Sequence, residues 1–361
     1  MKFIAFYLPQ FHEIKENNEW WGKGFTDWIN VKKAKPLFSG HRQPRVPLKR
    51  NYYDLSKIED IRNQALLAKK YGVYGFCFYH YWFGGKLLLE KPVDLLHETK
   101  DIDIKFCFSW ANEPWARTWD GKNNDILIAQ NYGDEADWKK HFLYFLEYFN
   151  DERYIKINNM PMLVIYKSAS IPRFAEMVNC WNELAREYGY DGIYLVDTLR
   201  DKNVSRNVEL FNASVEFEPA RSLNTISSLE LWSARIHREI LGLVNKITKK
   251  HRIENRIKLF SSIAEKSIRL SEDNPQNTFG GLFCGWDNSP RKSTRSTIIT
   301  EPSEKEFEQF VKAKVEIVKE KNDTHNQYVF INAWNEWAEG TYLEPDTVNE
   351  FKYLEILKKY C

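Results

Sequence analysis

The chain has 361 residues, with 52 Lys plus Arg against 50 Asp plus Glu and a formal net charge of +2. That balance gives no electrostatic reason to expect nucleic acid or a membrane surface as partner. The start, MKFIAFYLPQF, meets Pro9 too soon for a signal peptide or a membrane span, and the five scattered cysteines lack C-x-x-C or zinc-like spacing, so the reading is a reducing, cytoplasmic setting without disulfide, metal or other cofactor.

Eight short β-branched or aromatic runs have the length of buried parallel strands. In chain order they are Phe3–Leu8, Val73–Tyr79, Ile104–Ser109, Met162–Tyr166, Ile193–Asp197, Ala213–Phe217, Gly281–Gly285 and Tyr328–Asn332. Cys77 and Cys107 fall inside two of these runs, where a free thiol packs as a small hydrophobe. Helical spacing fills most of the gaps. Leu55, Ile58, Ile61, Ala65 and Ala68 precede the second run, and Phe174, Val178, Trp181, Ala185 and Tyr188 precede the fifth. Ser303 and Glu306 form a capping box ahead of Phe307, Val311, Val315 and Val318, and a last helical pattern runs from Asn349 to Tyr360. Strand and helix alternating in this way predict an α/β fold, one (β/α)8 TIM barrel over residues 1–361. Two long insertions interrupt it, residues 9–54 after the first strand and roughly 219–279 after the sixth. The second carries Lys249, Lys250 and Arg252, read as a solvated face.

In such a barrel the active site forms at the carboxyl ends of the strands. The first run is followed by Gln10 and His12, the second by His80 and Trp82, and the third by Trp110, Asn112 and Glu113. Tyr166, Asp197, Glu216 and Glu218 end the next three, and Trp286, Asp287 and Asn288 follow the seventh. The eighth gives Asn332, Trp334, Asn335, Glu336, Trp337 and Glu339. Amides and acids converging with indoles suit a sugar, whose hydroxyls need donors and acceptors and whose apolar face needs a flat aromatic surface. Cleaving a glycosidic bond usually takes two carboxyl groups in different protonation states. Glu336 and Glu339, three apart and crowded by Trp334 and Trp337, face the same way if the segment turns helically. Their apolar surroundings and mutual repulsion would raise one pKa. The alternatives are an ordinary surface E-x-x-E, a structural carboxylate at Glu113, and buried, satisfied histidines at His12 and His80.

Several segments resemble the WbsX-like family, the glycoside hydrolase family 99-like domain of bacterial polysaccharide and lipopolysaccharide gene clusters. They are Tyr7 to His12, Trp20 to Trp28 (with Trp21, Asp27 and Trp28), Gly75 to Phe83, Trp110 to Glu113, Trp286 to Arg291 and Asn332 to Asp346. The resemblance implies a barrel related to endo-α-mannosidases and a retaining mechanism. In it Glu336 takes the proton of the sugar 2-hydroxyl, which attacks its own anomeric carbon, and Glu339 is general acid and then base. A direct carboxylate nucleophile stays open on spacing alone. The sequence departs from the family pattern at Pro114, Ser289 and Asp27, where Asn, Thr and Glu are usual.

The expected partner is thus an oligosaccharide or polysaccharide, bound by Gln10, His12, Trp21, Asp27, Trp28, His80, Trp82, Trp110, Asn112, Glu113, Tyr166, Trp286, Asn332, Trp334, Asn335 and Trp337. The rival readings are a glycosyltransferase, the label the family often carries, and a non-catalytic carbohydrate-binding barrel. A nucleotide-sugar transferase usually needs a diphosphate or metal site. The D-x-D here, Asp101-Ile102-Asp103, precedes the third strand and so lies at the other end of the barrel. No G-x-G-x-x-G after a strand, Walker loop, G-x-S-x-G or H-E-x-x-H is present.

Overall fold

The computed structural model describes residues 1–116, 126–201, 208–225 and 257–361. Its centre is a closed parallel barrel. The strands are β1 (Lys2–Tyr7), β2 (Val73–Phe83), β3 (Lys105–Trp110), β4 (Met160–Ile165), β5 (Tyr194–Leu199), β6 (Ala213–Glu216), β7 (Thr278–Phe283) and β8 (Tyr328–Asn332). Each pairs in parallel with the next, and β1 closes the ring by pairing with both β8 and β2. All eight expected strands are present. Most bounds move by a residue or two, and the largest shifts are at β2, which runs on to Phe83 and folds back against Lys86–Leu88, and at β7, which begins at Thr278.

Helices α1 (Ile58–Lys70), α2 (Lys91–Glu98), α3 (Glu135–Phe149), α4 (Phe174–Glu187), α5 (Phe260–Glu272), α6 (Glu304–Lys321) and α7 (Lys352–Lys358) alternate with the strands. Their buried faces follow the apolar spacing, and α6 starts with the expected reciprocal capping box between Ser303 and Glu306. Tyr188, read as part of the α4 stripe, instead caps that helix and is exposed. Between β5 and β6 the described residues hold a single 3-10 turn, Val208–Leu210, rather than a helix. The second insertion is shorter than expected because α5 is itself a barrel helix, burying Phe260, Ile263 and Ala264. Lys249, Lys250 and Arg252 lie outside the described residues.

Phe6 sits at the centre of the barrel floor, with ring centroids 5.6 Å from Tyr79, 5.2 Å from Phe217 and 5.4 Å from Phe330. Such aromatic packing fills the barrel interior here. Cys77 and Cys107 are opposite each other on β2 and β3, buried and free. Glu216 and Glu218 do not point to the mouth. They turn outward into the helix layer, where Glu216 meets Lys314 Nζ at 2.7 Å and Arg221 Nη1 at 2.6 Å, and Glu218 accepts from Ser222 and Ser267. Asp197 likewise leaves the barrel axis and accepts from Ser168 Oγ at 3.0 Å. Asp101 and Asp103 precede β3 and pair with Arg62 and Lys69 of α1, at the end of the barrel away from the carboxyl termini of the strands. Among the described residues no helix is long and apolar enough to cross a membrane.

Candidate active site

A cavity of about 700 Å³ opens at the carboxyl ends of the strands. Its wall at β8 is built by a tight turn. Asn335–Glu336 pairs antiparallel with Thr341–Tyr342, Trp337–Glu339 is one turn of 3-10 helix, and Gly340 closes it at φ 63°. Glycine suits this left-handed position, and a side chain there would also run into Asp287. The 3-10 geometry nearly eclipses residues three apart, so Glu336 and Glu339 lie on one side of the turn. This is the juxtaposition expected of an α-helical turn, reached by a tighter one.

Arg291 bridges the two carboxylates. Its Nη2 lies 2.8 Å from Glu336 Oε1 and 2.8 Å from Asp27 Oδ2, and its Nη1 lies 2.8 Å from Glu339 Oε1. Asp27 is fully buried and Glu336 nearly so, whereas the Glu339 side chain is 24 % exposed. Burial, opposed by Arg291 and reinforced by Glu339 and Asp27, pushes the Glu336 carboxyl up to about 8. One member of the pair is therefore set to carry a proton near neutrality.

Arg291 is itself held from behind. It sits on the short helix Ser289–Lys292, whose start is fixed by Asp287 Oδ1 accepting from Ser289 N at 3.0 Å. Asp287 Oδ2 is gripped by His41 Nε2 at 2.7 Å and Gln43 Nε2 at 2.6 Å, both from the first insertion. Burial works against the Asp287 charge, but His41 and Arg45 hold the carboxyl down to about 2. The insertion thus braces the short helix that carries Arg291.

Of the expected site residues, Gln10, Trp21, Glu113, Tyr166, Trp286, Asn332, Glu336 and Glu339 line the cavity. The others do not. His80, Trp82 and Trp110 point the opposite way, into the helix layer. His80 Nε2 is 2.8 Å from His141 Nε2, Trp82 stacks on His141 at 4.3 Å, and Trp110 packs edge-on to it. The cause is the period of two along a strand: on β2 it is Tyr79 and Tyr81 that face the cavity. His12 is buried outside the cavity, and burial pushes it down to about 4 and His80 to about 3, so both stay neutral.

The remaining expected residues are supports. Asn335 accepts from Leu8 N at 2.7 Å and donates to Leu8 O at 3.0 Å, sewing the β8 turn to β1. Trp334 packs on Phe76, and Trp337 stacks on Tyr342 at 3.8 Å and packs against Trp28. Trp28 donates to Tyr53 O at 2.9 Å. Asn112 exchanges hydrogen bonds with the Lys167 backbone at 2.8 and 2.9 Å. Asp27 reaches the pair only through Arg291.

Cavity residues missed at the sequence level include Tyr79, Tyr81, Trp115, Lys167, Arg200 and Arg291. Arg291 had a signal, since it ends the Trp286-to-Arg291 segment. The strand-end positions of Lys167 and Arg200 gave no comparable one.

A family model described as Glycosyltransferase WbsX matches residues 3–357. Two proteins of Xanthomonas campestris pv. campestris, each called Uncharacterized protein WxcX, are 35 % and 34 % identical over 356 residues, 99 % of this chain and 49 % of theirs. The chain thus spans about half the length of the curated relatives it matches. Among solved structures, the GH99 endo-alpha-mannosidase of Bacteroides thetaiotaomicron, in complex with BIS-TRIS-propane, superposes with a TM-score of 0.62 at 15 % identity, covering 99 % of this chain and 95 % of that one. A glycoside hydrolase-like protein gives 0.61 at 15 % identity, with 99 % and 93 % covered. At that identity the likeness speaks for the fold alone, a (β/α)8 barrel. With nearly its whole length matched by the family model, the chain belongs to the WbsX glycosyltransferase family.

Proposed function

We propose that this chain cleaves or transfers a glycosidic bond in a bacterial surface polysaccharide or its precursor, with retention of configuration, using Glu336 and Glu339. The observation that carries the reading is the pair itself: two carboxylates on one tight turn at the cavity mouth, bridged by Arg291, with the more buried one pushed up to about 8. The aromatic lining, including Trp21, Trp115 and Trp286, suits the apolar faces of sugar rings.

In the mechanism the family resemblance implies, Glu336 as carboxylate removes the proton of the 2-hydroxyl. O2 attacks C1 while the glycosidic C1–O bond breaks, and Glu339 as acid protonates the departing oxygen. Water or a sugar hydroxyl then attacks C1 of the 1,2-anhydro intermediate, and the C1–O2 bond breaks. Glu339 takes the nucleophile's proton, and Glu336 returns its own to O2. Arg291 steadies both carboxylates as their charges alternate. A carboxyl raised to about 8 is a stronger base once ionised. If Glu336 is the base, kcat/KM rises as pH climbs through about 8. A fall there instead would assign Glu336 the acid role.

The second reading, a transferase, is favoured by the family description. The test is to count new reducing ends on the host's own polysaccharide and on α-mannans, without sugar nucleotide, for wild type, Glu336→Gln and Glu339→Gln. Turnover lost by orders of magnitude in both variants, with binding kept, supports the hydrolase reading. Near-wild-type turnover in either variant overturns the residue assignment. Silence in wild type, with turnover appearing once sugar nucleotides are added, favours the transferase.

A further inference from the structure

We propose that the cavity wall made by Glu113, Lys167 and Arg200 is a subsite for an anionic group, a carboxylate or phosphate, carried by the saccharide. The inference rests on the reading above for the ligand being a saccharide, and it adds the substrate's charge.

The three residues follow three neighbouring strands, β3, β4 and β5, and all line the cavity. Lys167 Nζ lies 2.9 Å and Arg200 Nη1 lies 3.3 Å from the same oxygen, Glu113 Oε1. One carboxylate between two cations leaves this wall with a net positive charge. Most of the donors also have no partner among the described residues. Lys167 directs one of its three N–H groups at Glu113, and the buried Arg200 Nε has no hydrogen-bond partner among the described residues.

Both cations are held in place rather than left loose. The Arg200 guanidinium lies over the Tyr166 ring, 4.1 Å from its centroid, and its carbonyl accepts from Asn224 Nδ2 at 3.0 Å. The Lys167 backbone is locked to Asn112 in both directions. The side chains are 46 % and 28 % exposed. A planar guanidinium beside an ammonium matches a carboxylate or phosphate better than it matches a hydroxyl.

The opposite wall lacks that excess of uncommitted cations. There Arg291 is shared among three carboxylates, Asp27, Glu336 and Glu339. With the charge of Arg291 already matched there, an anionic group is drawn to this end instead. The cavity's polarity thereby sets which way round the chain of sugars lies, with the acidic unit beside Tyr166 and the scissile bond at the glutamates.

The test is binding to the Glu339→Gln chain, which removes turnover from the measurement. Ligands are matched pairs differing only in charge: oligogalacturonates against their methyl esters, and phosphorylated against plain mannose oligosaccharides. The acidic member of at least one pair should bind about tenfold tighter at low salt, an advantage that shrinks as salt rises. Which pair shows it distinguishes carboxylate from phosphate. Adding Arg200→Gln or Lys167→Met should bring the acidic-to-neutral affinity ratio towards one. Adding Glu113→Gln should raise that ratio by freeing both cations, whereas a merely structural trio would show no gain. Equal affinity within every pair, a ratio untouched by the variants, or no binding at all overturns the subsite. If neutral glycans are cleaved without any acidic preference, the subsite fails while the glycosidase reading stands. If acidic glycans are bound selectively but never cleaved by wild type, the subsite stands and the glycosidase reading fails.

Discussion

Replacing Glu336 by Gln should make the protein more stable, by an amount that grows with pH. The folded-state carboxyl is raised from 4.5 to about 8, chiefly by burial. The unfolded chain releases this proton near its ordinary value, so between 4.5 and 8 the folded state holds more protons than the unfolded one. The stability of the wild type therefore falls as pH rises through that window, by about 1.4 kcal/mol per unit. The loss from this one group reaches about 3 kcal/mol at pH 7 and about 5 kcal/mol above pH 8. Glutamine keeps an oxygen able to accept from Arg291 Nη2 but has no charge to bury. Urea denaturation of both proteins at pH 5, 7 and 9 reads the effect as a gap in midpoint at constant m. The gap should be small at pH 5 and several kcal/mol at pH 9, in favour of a variant that has lost activity. A gap that does not change with pH, or a variant less stable at pH 9, refutes the reasoning. The expected pattern is that of a site which gives up stability for function.

Arg291→Met should destabilise by about 3–5 kcal/mol at neutral pH, because it strands the buried Asp27 carboxylate without its cation. The loss should shrink on acidification, and melting curves at pH 5 and 8 would show it. Lys314→Met should cost a similar 3–5 kcal/mol by leaving Glu216 buried with Arg221 as its remaining charged partner, while kcat is unchanged, since this cluster lies in the helix layer. Ser303→Ala removes the α6 cap and should cost about 1 kcal/mol in denaturant titration, again without effect on turnover. His41→Ala should lower kcat more than it raises KM, because it loosens Asp287 and, through the Ser289–Lys292 helix, the placing of Arg291.

The order of elements was legible from the sequence. Eight apolar runs with amphipathic spacers specify a closed parallel barrel, and the rule that function gathers at strand ends singled out Glu336 and Glu339, which line the cavity. Local signals, such as the Ser303–Glu306 box, were equally readable because they depend on near neighbours alone. What the sequence left open was which of two adjacent strand residues looks inward. In a parallel strand both faces are buried, so His80 and Trp82 are as apolar in context as Tyr79 and Tyr81, and only packing against α3 decides between them. The outward turn of Glu216 towards Lys314, 98 residues away, has the same origin. Tertiary structure alone also brought Arg291 between Asp27 and the glutamates, and Lys167 and Arg200 onto one oxygen of Glu113. Ion pairs of that range leave no periodicity in the chain. They exist because closing the barrel sets the ends of distant strands side by side, where a carboxylate as buried as Asp27 must find a cation.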